Sequence, residues 1–211
     1  RELGVRTVLE GSIRRAEGRV RVVAQLIDGV SDEHLWAGTY DRDLKDVFQV
    51  QTEVAENIAA ALKAELTEAE RSGMRGAPTE SLVAWDLYLR AVKMFQTMHP
   101  ADLAEAERYL IEAVRLDPGF AQGWGQMAQV LALVGLVGNR PPLELASRMR
   151  EAAARALALD PRCIQGHTAM GVLKIFHDWD PAAAEAAFDR ALAMNPDESF
   201  TLDWKATFLR Q

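Results

Sequence analysis

The chain has 211 residues, of which 49% are hydrophobic and 26% are charged, and its formal net charge is -7. This length and composition fit one extended globular domain or two compact ones. The acidic balance provides no basic field for a phosphate backbone, so we expect no nucleic acid ligand. The single cysteine, Cys163, excludes an internal disulfide framework and a cysteine-based zinc cluster, and it fits a reducing cytoplasm.

The first part of the chain predicts a small sheet. Apolar and charged residues alternate between Thr7 and Tyr40, which is typical of strands with one buried face. Turn residues divide this stretch into three strands, over residues 7–15, 19–28 and 34–40. Gly18 provides the positive φ that the first tight turn requires.

A long helix is predicted after the sheet. Asp43 is placed to cap it, and apolar residues then recur at helical spacing as far as Leu66. We interpret Asp41, Asp43 and Asp46 as compensation for the helix dipole rather than as a cation site. Three strands and one helix bury little surface, so we expect further elements or a partner to complete this unit.

Several blocks of the first 66 residues resemble the second half of the TolB-like amino-terminal domain. The blocks are residues 2–6, 8–12, 19–22, 24–28, 34–37 and 40–44. The resemblance implies a place in bacterial multidomain signalling proteins. In such proteins this domain commonly lies between an output module, either a class III nucleotide cyclase or a winged-helix regulator, and tetratricopeptide repeats. The family's opening strand and helices are missing, so we expect a fragment of a longer protein.

The remainder of the chain is divided by three similar dipeptides. They are Asp117-Pro118, Asp160-Pro161 and Asn195-Pro196, and each closes an Ala-rich amphipathic stretch. The prolines are 43 and 35 residues apart. The spacing of 35 is near the period of about 34 residues of tetratricopeptide repeats, and the spacing of 43 fits that period plus an insertion. This pattern predicts a stack of helix pairs.

The predicted helix pairs have definite bounds. They are residues 81–98 with 102–116, 121–134 with 143–159, and 164–176 with 181–194, followed by a helix over 200–209. The last helix is either a cap or a repeat cut short, because Leu202, Trp204, Phe208 and Leu209 need cover. The predicted domains are residues 1–66, a linker over 67–79 with Thr79 capping the next helix, and repeats over 80–118, 119–161 and 162–196 with a final helix over 199–210.

The third pair shows the expected packing best. Gly171 and Ala184 are the small residues that allow two helices to approach closely, and Phe188 fills the seam. In the second pair Met149 replaces the usual small residue. The predicted fold class is therefore α+β and mainly α: a small antiparallel sheet with one long helix, then a tetratricopeptide-like α–α superhelix.

Other local signals predict structure rather than chemistry. In the turn from His177 to Pro181, Asp180 caps a helix, Pro181 takes its first position and Trp179 provides an apolar staple. The apolar residues Leu133, Val134, Leu136 and Val137 are interpreted as core, with a docking surface as the alternative. The longest apolar run, residues 127–137, is too short to cross a bilayer.

No catalytic, metal or cofactor site is expected. No two of the four histidines stand at i, i+4, and no phosphate-loop or nucleophile-elbow segment occurs. The predicted binding surface is instead the concave face made by the first helix of each pair. The helical register predicts that it is lined by Gln122, Gly125, Gln129, Gln165, Thr168 and Val172. The alternative interpretation of these residues is a solvent-exposed face that binds no ligand.

Two functions remain open. The first is a non-enzymatic, cytoplasmic interaction and regulatory region that binds a protein or peptide partner, or its own output domain. It acts either through binding at the concave face or through self-association at the open sheet edge. The second is part of a nucleotide cyclase whose catalytic domain lies outside this chain. The segment itself offers Glu10 and Asp28 but no matching acid on a neighbouring strand for a metal-dependent cyclase.

Overall fold

The computed structural model describes residues 5–64, 78–137 and 142–208. It divides into two compact units, Arg1–Ala77 and Pro78–Gln211. The first unit, which we call the sheet unit, contains strands β1 (Thr7–Ala16), β2 (Arg19–Asp28) and β3 (His34–Asp43), a 3₁₀ turn (Leu44–Asp46) and helix α1 (Val47–Ala61).

The three strands form an antiparallel meander in the order β1-β2-β3. Glu17 and Gly18 join β1 to β2, and both have positive φ, 49° and 76°, as a two-residue turn that matches the strand twist requires. The second turn is closed by the carboxylate of Asp28, which accepts hydrogen bonds from the backbone N–H of Val30 at 2.8 Å and of Ser31 at 3.0 Å. The predicted strands are confirmed, and β3 extends three residues further.

Helix α1 covers only part of the apolar face of the sheet. On β2, Val20, Ala24 and Leu26 are buried beneath it together with Tyr40 of β3. On β1, Leu9 lies directly opposite Leu26 yet is 53% exposed, and Ile13 is 71% exposed. Among the residues that the structure describes, β1 has no strand on its outer side. The sheet unit therefore presents an open edge beside an uncovered apolar strip.

The start of α1 differs from the sequence prediction. Asp43 has extended backbone and its side chain makes no cap hydrogen bond, because the 3₁₀ turn intervenes before α1 begins at Val47. The carboxylate of Asp43 instead lies 3.3 Å from the guanidinium of Arg19 on the neighbouring strand. The helix ends at Ala61, and the predicted positions up to Leu66 lie partly outside the described residues.

The second unit, the hairpin unit, is helical throughout its described residues. It consists of α2 (Leu82–Phe95) with α3 (Pro100–Leu116), α4 (Ala121–Val137) with α5 (Pro142–Leu159), α6 (Ile164–Phe176) with α7 (Pro181–Met194), and α8 (Ser199–Phe208). Neighbouring helices in the chain pack on each other, and α4 also packs on α6. The predicted helix pairs are confirmed, and α4 extends to Val137.

The three Asp-Pro and Asn-Pro dipeptides that separate the hairpins form the same turn. The side-chain oxygen of Asp117, Asp160 or Asn195 accepts a hydrogen bond from the backbone N–H two residues later, at 2.9, 2.9 and 3.2 Å respectively. The following proline cannot donate a hydrogen bond and so ends the preceding helix. Each turn thereby reverses the chain: the first two lead to the next hairpin, and the third leads to α8.

Small residues bring the helices of a hairpin close together. A Cβ built on Gly171 of α6 would lie 2.5 Å from the ring of Phe188 on α7, a distance that real side chains do not tolerate. Phe188 and Ala184 are both fully buried. Met149, which replaces a small residue in α5, is only 2% exposed and packs in the same continuous core.

Two predicted turn roles are corrected. Ser81, not Thr79, caps α2 by accepting a hydrogen bond from the N–H of Ala84, while the Thr79 hydroxyl donates to Asp117. Asp180 does cap α7, at 3.0 Å from the N–H of Ala183. Trp179 has a left-handed backbone, with a φ of 54°, and its side chain is 84% exposed. It therefore does not act as an apolar staple for this turn.

Two further predictions concern the apolar core residues at the end of α4 and the linker. Leu133 and Val134 are buried as predicted, whereas Leu136 and Val137 at the end of α4 are 66% and 43% exposed. Most of the predicted linker over 67–79, namely residues 67–77, lies outside the described residues. None of the helices described is long and apolar enough to span a membrane.

Candidate functional site

The last helix, α8, packs on the third hairpin, α6 and α7, and its aromatic side chains also reach toward α2 and α4. The ring centroids of Phe200 on α8 and Phe95 on α2 are 5.0 Å apart in an edge-to-face arrangement. Trp204 of α8 packs on Phe176 of α6 at 5.5 Å, and it also lines a pocket with Leu131 of α4. We call the surface that α2, α4 and α6 present to α8 the inner face.

A buried pair of hydroxyl groups fixes the position of α8. Thr168 on α6 and Thr201 on α8 share a hydrogen bond of 2.6 Å, and both residues are 0% exposed. The carboxylate of Glu198 accepts hydrogen bonds from the backbone N–H of Thr201 at 2.6 Å and from its hydroxyl. Since buried hydroxyl groups are costly without partners, these bonds favour one position of the helix over others.

An apolar pocket of about 170 Å³ lies beside Trp204. Its lining comes from α4, α5, α6 and α8 and is almost entirely aliphatic or aromatic. Leu136, 66% exposed, and Phe176, 39% exposed, belong to both the pocket and the molecular surface. The inner face is thus only partly filled by α8, and its unfilled part is open to apolar groups.

Two glutamines of α4 are buried without full hydrogen bonding. Gln126 and Gln129 are 4% and 3% exposed, and the Nε2 atom of each finds no acceptor among the described residues. A buried donor without a partner costs roughly 1–3 kcal/mol. The centre of the hairpin unit therefore holds two polar groups that the described residues leave unsatisfied.

An ion-pair cluster fixes the turn between α6 and α7. Arg150 of α5 donates two hydrogen bonds to the carboxylate of Asp178, at 2.7 and 3.1 Å, and Lys174 lies 2.9 Å from it. Hydrogen bonds from Arg150 first, and then from Lys174, hold the pKa of Asp178 well below its usual range. The adjacent His177 lines the pocket, so this cluster holds one rim of it in place.

The structure does not assemble the six predicted binding residues into one open surface. Gln122 and Gln165 are half-buried, and the other four are buried; these are Gly125, Gln129, Thr168 and Val172. This corrects the expected exposure of those four residues, whereas the role of all six in binding stays a prediction.

Each buried member of that set has its own physical reason. A Cβ on Gly125 would lie 2.7 Å from the sulfur of Cys163, so this glycine serves the close approach of α4 and α6. Thr168 is covered by α8, and Val172 lines the apolar pocket. Gln129 lies in the core of α4, which is buried from Gln126 through Val134.

Sequence reasoning missed the aromatic residues that form the contact with α8. Phe95, Phe176 and Phe200 were not singled out, and Trp204 was recognised only as a residue that needs cover. A signal was available, because Phe200 and Trp204 are four residues apart and therefore share one face of a helix. The cover expected for Phe208 and Leu209 concerns side chains outside the described residues.

The described residues contain no candidate metal site, and their cysteine is not activated. No group of three or more His, Cys, Asp or Glu side chains that could hold a metal ion occurs in residues 5–64, 78–137 and 142–208. Burial raises the pKa of the Cys163 thiol to about 11, so it stays protonated and a poor nucleophile at neutral pH. Burial likewise raises the pKa of Tyr88 to about 12.

Comparison with known proteins gives one close sequence relative and several distant structural ones. No protein-family model matches the chain. A curated protein of Rhizobium meliloti (strain 1021), "Putative adenylate cyclase 3", is 42% identical over 141 residues, which cover 66% of this chain and 24% of that protein. The chain therefore spans about a quarter of the length of this relative.

Among solved structures, the chain is similar to three tetratricopeptide proteins. The TPR domain of Arabidopsis OM64 is 12% identical, with a TM-score of 0.46, over 61% of this chain and 95% of that one. The first TPR of Spaghetti (RPAP3), bound to an HSP90 peptide, is 15% identical, with a TM-score of 0.46, over 64% and 97%. YrrB is 17% identical, with a TM-score of 0.42, over 76% and 69%.

Proposed function

We propose that this chain is a non-enzymatic interaction and regulatory region of a bacterial, cytoplasmic multidomain signalling protein. Its hairpin unit binds a helical segment of a protein partner, or of the protein's own output domain, on the inner face. Binding acts by position: it changes the arrangement of the attached output module rather than any reaction within this chain. The TolB-like resemblance of residues 1–66 supports this domain context.

A single observation carries the proposal: the inner face already holds a helix. Contacts from Phe95, Thr168 and Phe176 hold α8 by its aromatic and hydroxyl groups. The pocket beside Trp204 leaves apolar surface for further contacts. Gln122 and Gln165, which keep partial exposure, are our candidates for polar contacts at the margin. Thr168 is reached only when α8 moves, whereas Val172 is reached through the pocket that it lines.

The sheet unit supplies a second binding element in this proposal. Its open β1 edge, with Leu9 and Ile13 exposed on the apolar face, accepts a strand from another polypeptide or from a second copy of the chain. An added strand provides hydrogen-bond partners for the backbone groups of the β1 edge and at the same time covers the apolar strip. Homo-oligomerisation through β1 is one form of this pairing.

Selection of peptides displayed on phage tests binding to the inner face. Twelve-residue peptides are selected on the immobilised chain, and each enriched peptide is measured against two variants. We expect Leu136→Asp, at the pocket mouth, to weaken binding at least tenfold, because a charge beside an apolar pocket loses hydration when a ligand covers it. The control Ile111→Asp, on the exposed side of α3, leaves binding unchanged.

The outcome is decisive in both directions. Enriched peptides that bind Leu136→Asp as tightly as the unaltered chain contradict an inner-face site. Loss of binding with Ile111→Asp alone places the site on the second helices of the hairpins instead. Circular dichroism of both variants confirms that the helices are intact before the affinities are compared.

A second candidate function is supported by the sequence relative. The 42% identity to a protein named as an adenylate cyclase favours a chain that belongs to a nucleotide cyclase, with its catalytic domain outside these 211 residues. In that case the hairpin unit regulates the cyclase. We expect the purified chain to form no cyclic nucleotide from ATP or GTP with Mg²⁺ or Mn²⁺; detectable product that scales with chain concentration would refute the non-enzymatic assignment.

A further inference from the structure

We infer that the inner face is a receptor for an amphipathic helix of the pattern aromatic, Ser or Thr, any two residues, aromatic, and that α8 is a resident occupant which such a partner helix displaces. The inference rests on the proposed function and specifies the partner. Its basis is α8 itself, in which Phe200, Thr201 and Trp204 provide this pattern.

The spacing of the pattern follows from helix geometry. Residues four apart lie on the same side of a helix, so Phe200 and Trp204 point together into the inner face and are 9% and 8% exposed. The other side of α8 is exposed, at Leu202, Asp203 and Ala206. The inner face thus contacts one stripe of the helix, while another side of α8 packs on α7, where Lys205 forms an ion pair with Asp189.

The environment of Thr201 explains why the pattern requires a small residue with a hydroxyl group after the first aromatic residue. Its side chain meets Thr168 at 2.6 Å in a fully buried position. A larger side chain there collides with α6. Because the Thr201 hydroxyl donates to Glu198, the Thr168 hydroxyl donates to Thr201, and an apolar residue at this place removes that acceptor and leaves the backbone oxygen of Ile164, at 3.0 Å, as the alternative. The hydroxyl pair therefore selects both residue type and register.

Two features make α8 replaceable. It fills the inner face incompletely, because the pocket of about 170 Å³ beside Trp204 stays open. A partner helix with an additional apolar side chain at this place buries surface that α8 does not. Against this, α8 is tethered to α7 through the short turn at Asn195, which gives it a high effective concentration. An untethered helix of equal affinity is therefore outcompeted until α8 is released.

The test uses one position of α8 that does not contact the inner face. Asp203 is exposed and lies inside the helix, so Asp203→Pro breaks α8 while leaving every inner-face residue unchanged. Asp203→Ala keeps the helix and is the matched control. The probe is a fluorescent peptide with the sequence of residues 198–208, titrated into each variant of the 211-residue chain and followed by anisotropy.

We expect Asp203→Pro to bind this peptide at least tenfold more tightly than Asp203→Ala. Replacement of both aromatic residues of the peptide by alanine abolishes binding, whereas alanine in place of its Leu202, which is exposed in α8, does not. Equal affinities of the two chain variants, or binding that survives loss of both aromatic residues, overturn the inference.

Hydrogen exchange of the unaltered chain provides a measurement that needs no substitution. We expect the amides of α8 to exchange through a local opening, faster than those of α4 and α6. Exchange of α8 only together with α4 shows that the helix is not released and overturns the inference. Phage-selected peptides that require the inner face but lack the aromatic pattern also overturn it, while leaving the proposed function intact.

Discussion

The sheet unit and the hairpin unit cover their apolar surfaces by different means. In the hairpin unit each helix packs on its neighbours in the chain, and α8 covers part of the surface that the first helices leave open. In the sheet unit, α1 covers β2 and β3, but the strip on β1 stays exposed among the described residues. A repeat stack is completed by the next helix along the chain, whereas a sheet edge requires a partner strand from elsewhere.

This difference assigns different roles to the two units. In our proposal, α8 acts as a ligand-like helix of the hairpin unit, and a partner helix competes with it for the inner face. The sheet unit has no such internal occupant in its described residues, so its β1 edge is free for pairing. If both surfaces operate in one protein, the first responds to a partner helix and the second to assembly.

The largest expected effect contrasts one buried residue with one exposed residue. Phe188→Ala removes a fully buried ring from the α6–α7 seam, and we expect a loss of about 3–5 kcal/mol in the free energy of unfolding. Ile13→Ala on β1, where the side chain is 71% exposed, changes it by less than about 0.5 kcal/mol. Urea unfolding followed by circular dichroism measures both.

The same pair of variants also sharpens the comparison between the units. A loss well above about 0.5 kcal/mol for Ile13→Ala means that the apolar strip on β1 is covered in solution. Dependence of that loss on protein concentration identifies a second copy of the chain as the cover. A small effect of Phe188→Ala contradicts the close packing that Gly171 permits.

A smaller effect is expected at the turns that separate the hairpins. Asp160→Ala removes the side-chain acceptor for the N–H of Arg162, and we expect a loss of about 1 kcal/mol. Asp160→Asn is the matched control and retains stability, because Asn195 makes the equivalent bond in the next turn. Equal losses in both variants would show that the charge of Asp160, rather than its turn geometry, matters. Urea unfolding midpoints measure the difference.

Local patterns in the sequence predicted most of the fold. Strand alternation placed β1, β2 and β3, and the Asp-Pro and Asn-Pro dipeptides placed the hairpins. The sequence also predicts Gly171 as a small residue of the third hairpin and Phe188 as a residue that fills its seam, and the structure places the two in close contact. These features depend on residues that belong to one strand, one turn or one helical hairpin.

The candidate site was harder to predict because it joins the first and last helices of the hairpin unit. The contact between Phe95 and Phe200 depends on the small rotations that accumulate from hairpin to hairpin, which single helices do not record. Register alone placed Thr168 on an open face, but it could not show that Thr201 would cover it. Asp43 illustrates the same limit on a smaller scale. It was predicted to cap α1, but a 3₁₀ turn lies between Asp43 and the helix.

The smallest expected effect concerns the acid response of the hairpin unit. Arg150 and Lys174 lower the pKa of Asp178 in the folded chain, so the carboxylate stabilises the fold above its ordinary pKa of about 3.9. That stability is lost as the pH falls from this value toward the lowered pKa. We expect Asp178→Asn to be less stable than the unaltered chain at pH 7 and to approach it in stability near pH 2.

A surface ion pair provides the control for this pH dependence. Asp86 and Arg90 lie four residues apart on α2 with both side chains more than half exposed, so Asp86→Asn changes stability little at any pH. Urea midpoints at pH 7, 5, 3 and 2 give the comparison. If the curves of Asp178→Asn and the unaltered chain stay parallel over this range, the Arg150 cluster does not tie α5 to the α6–α7 turn through an ionised carboxylate. The rim of the pocket at His177 is then held by packing alone.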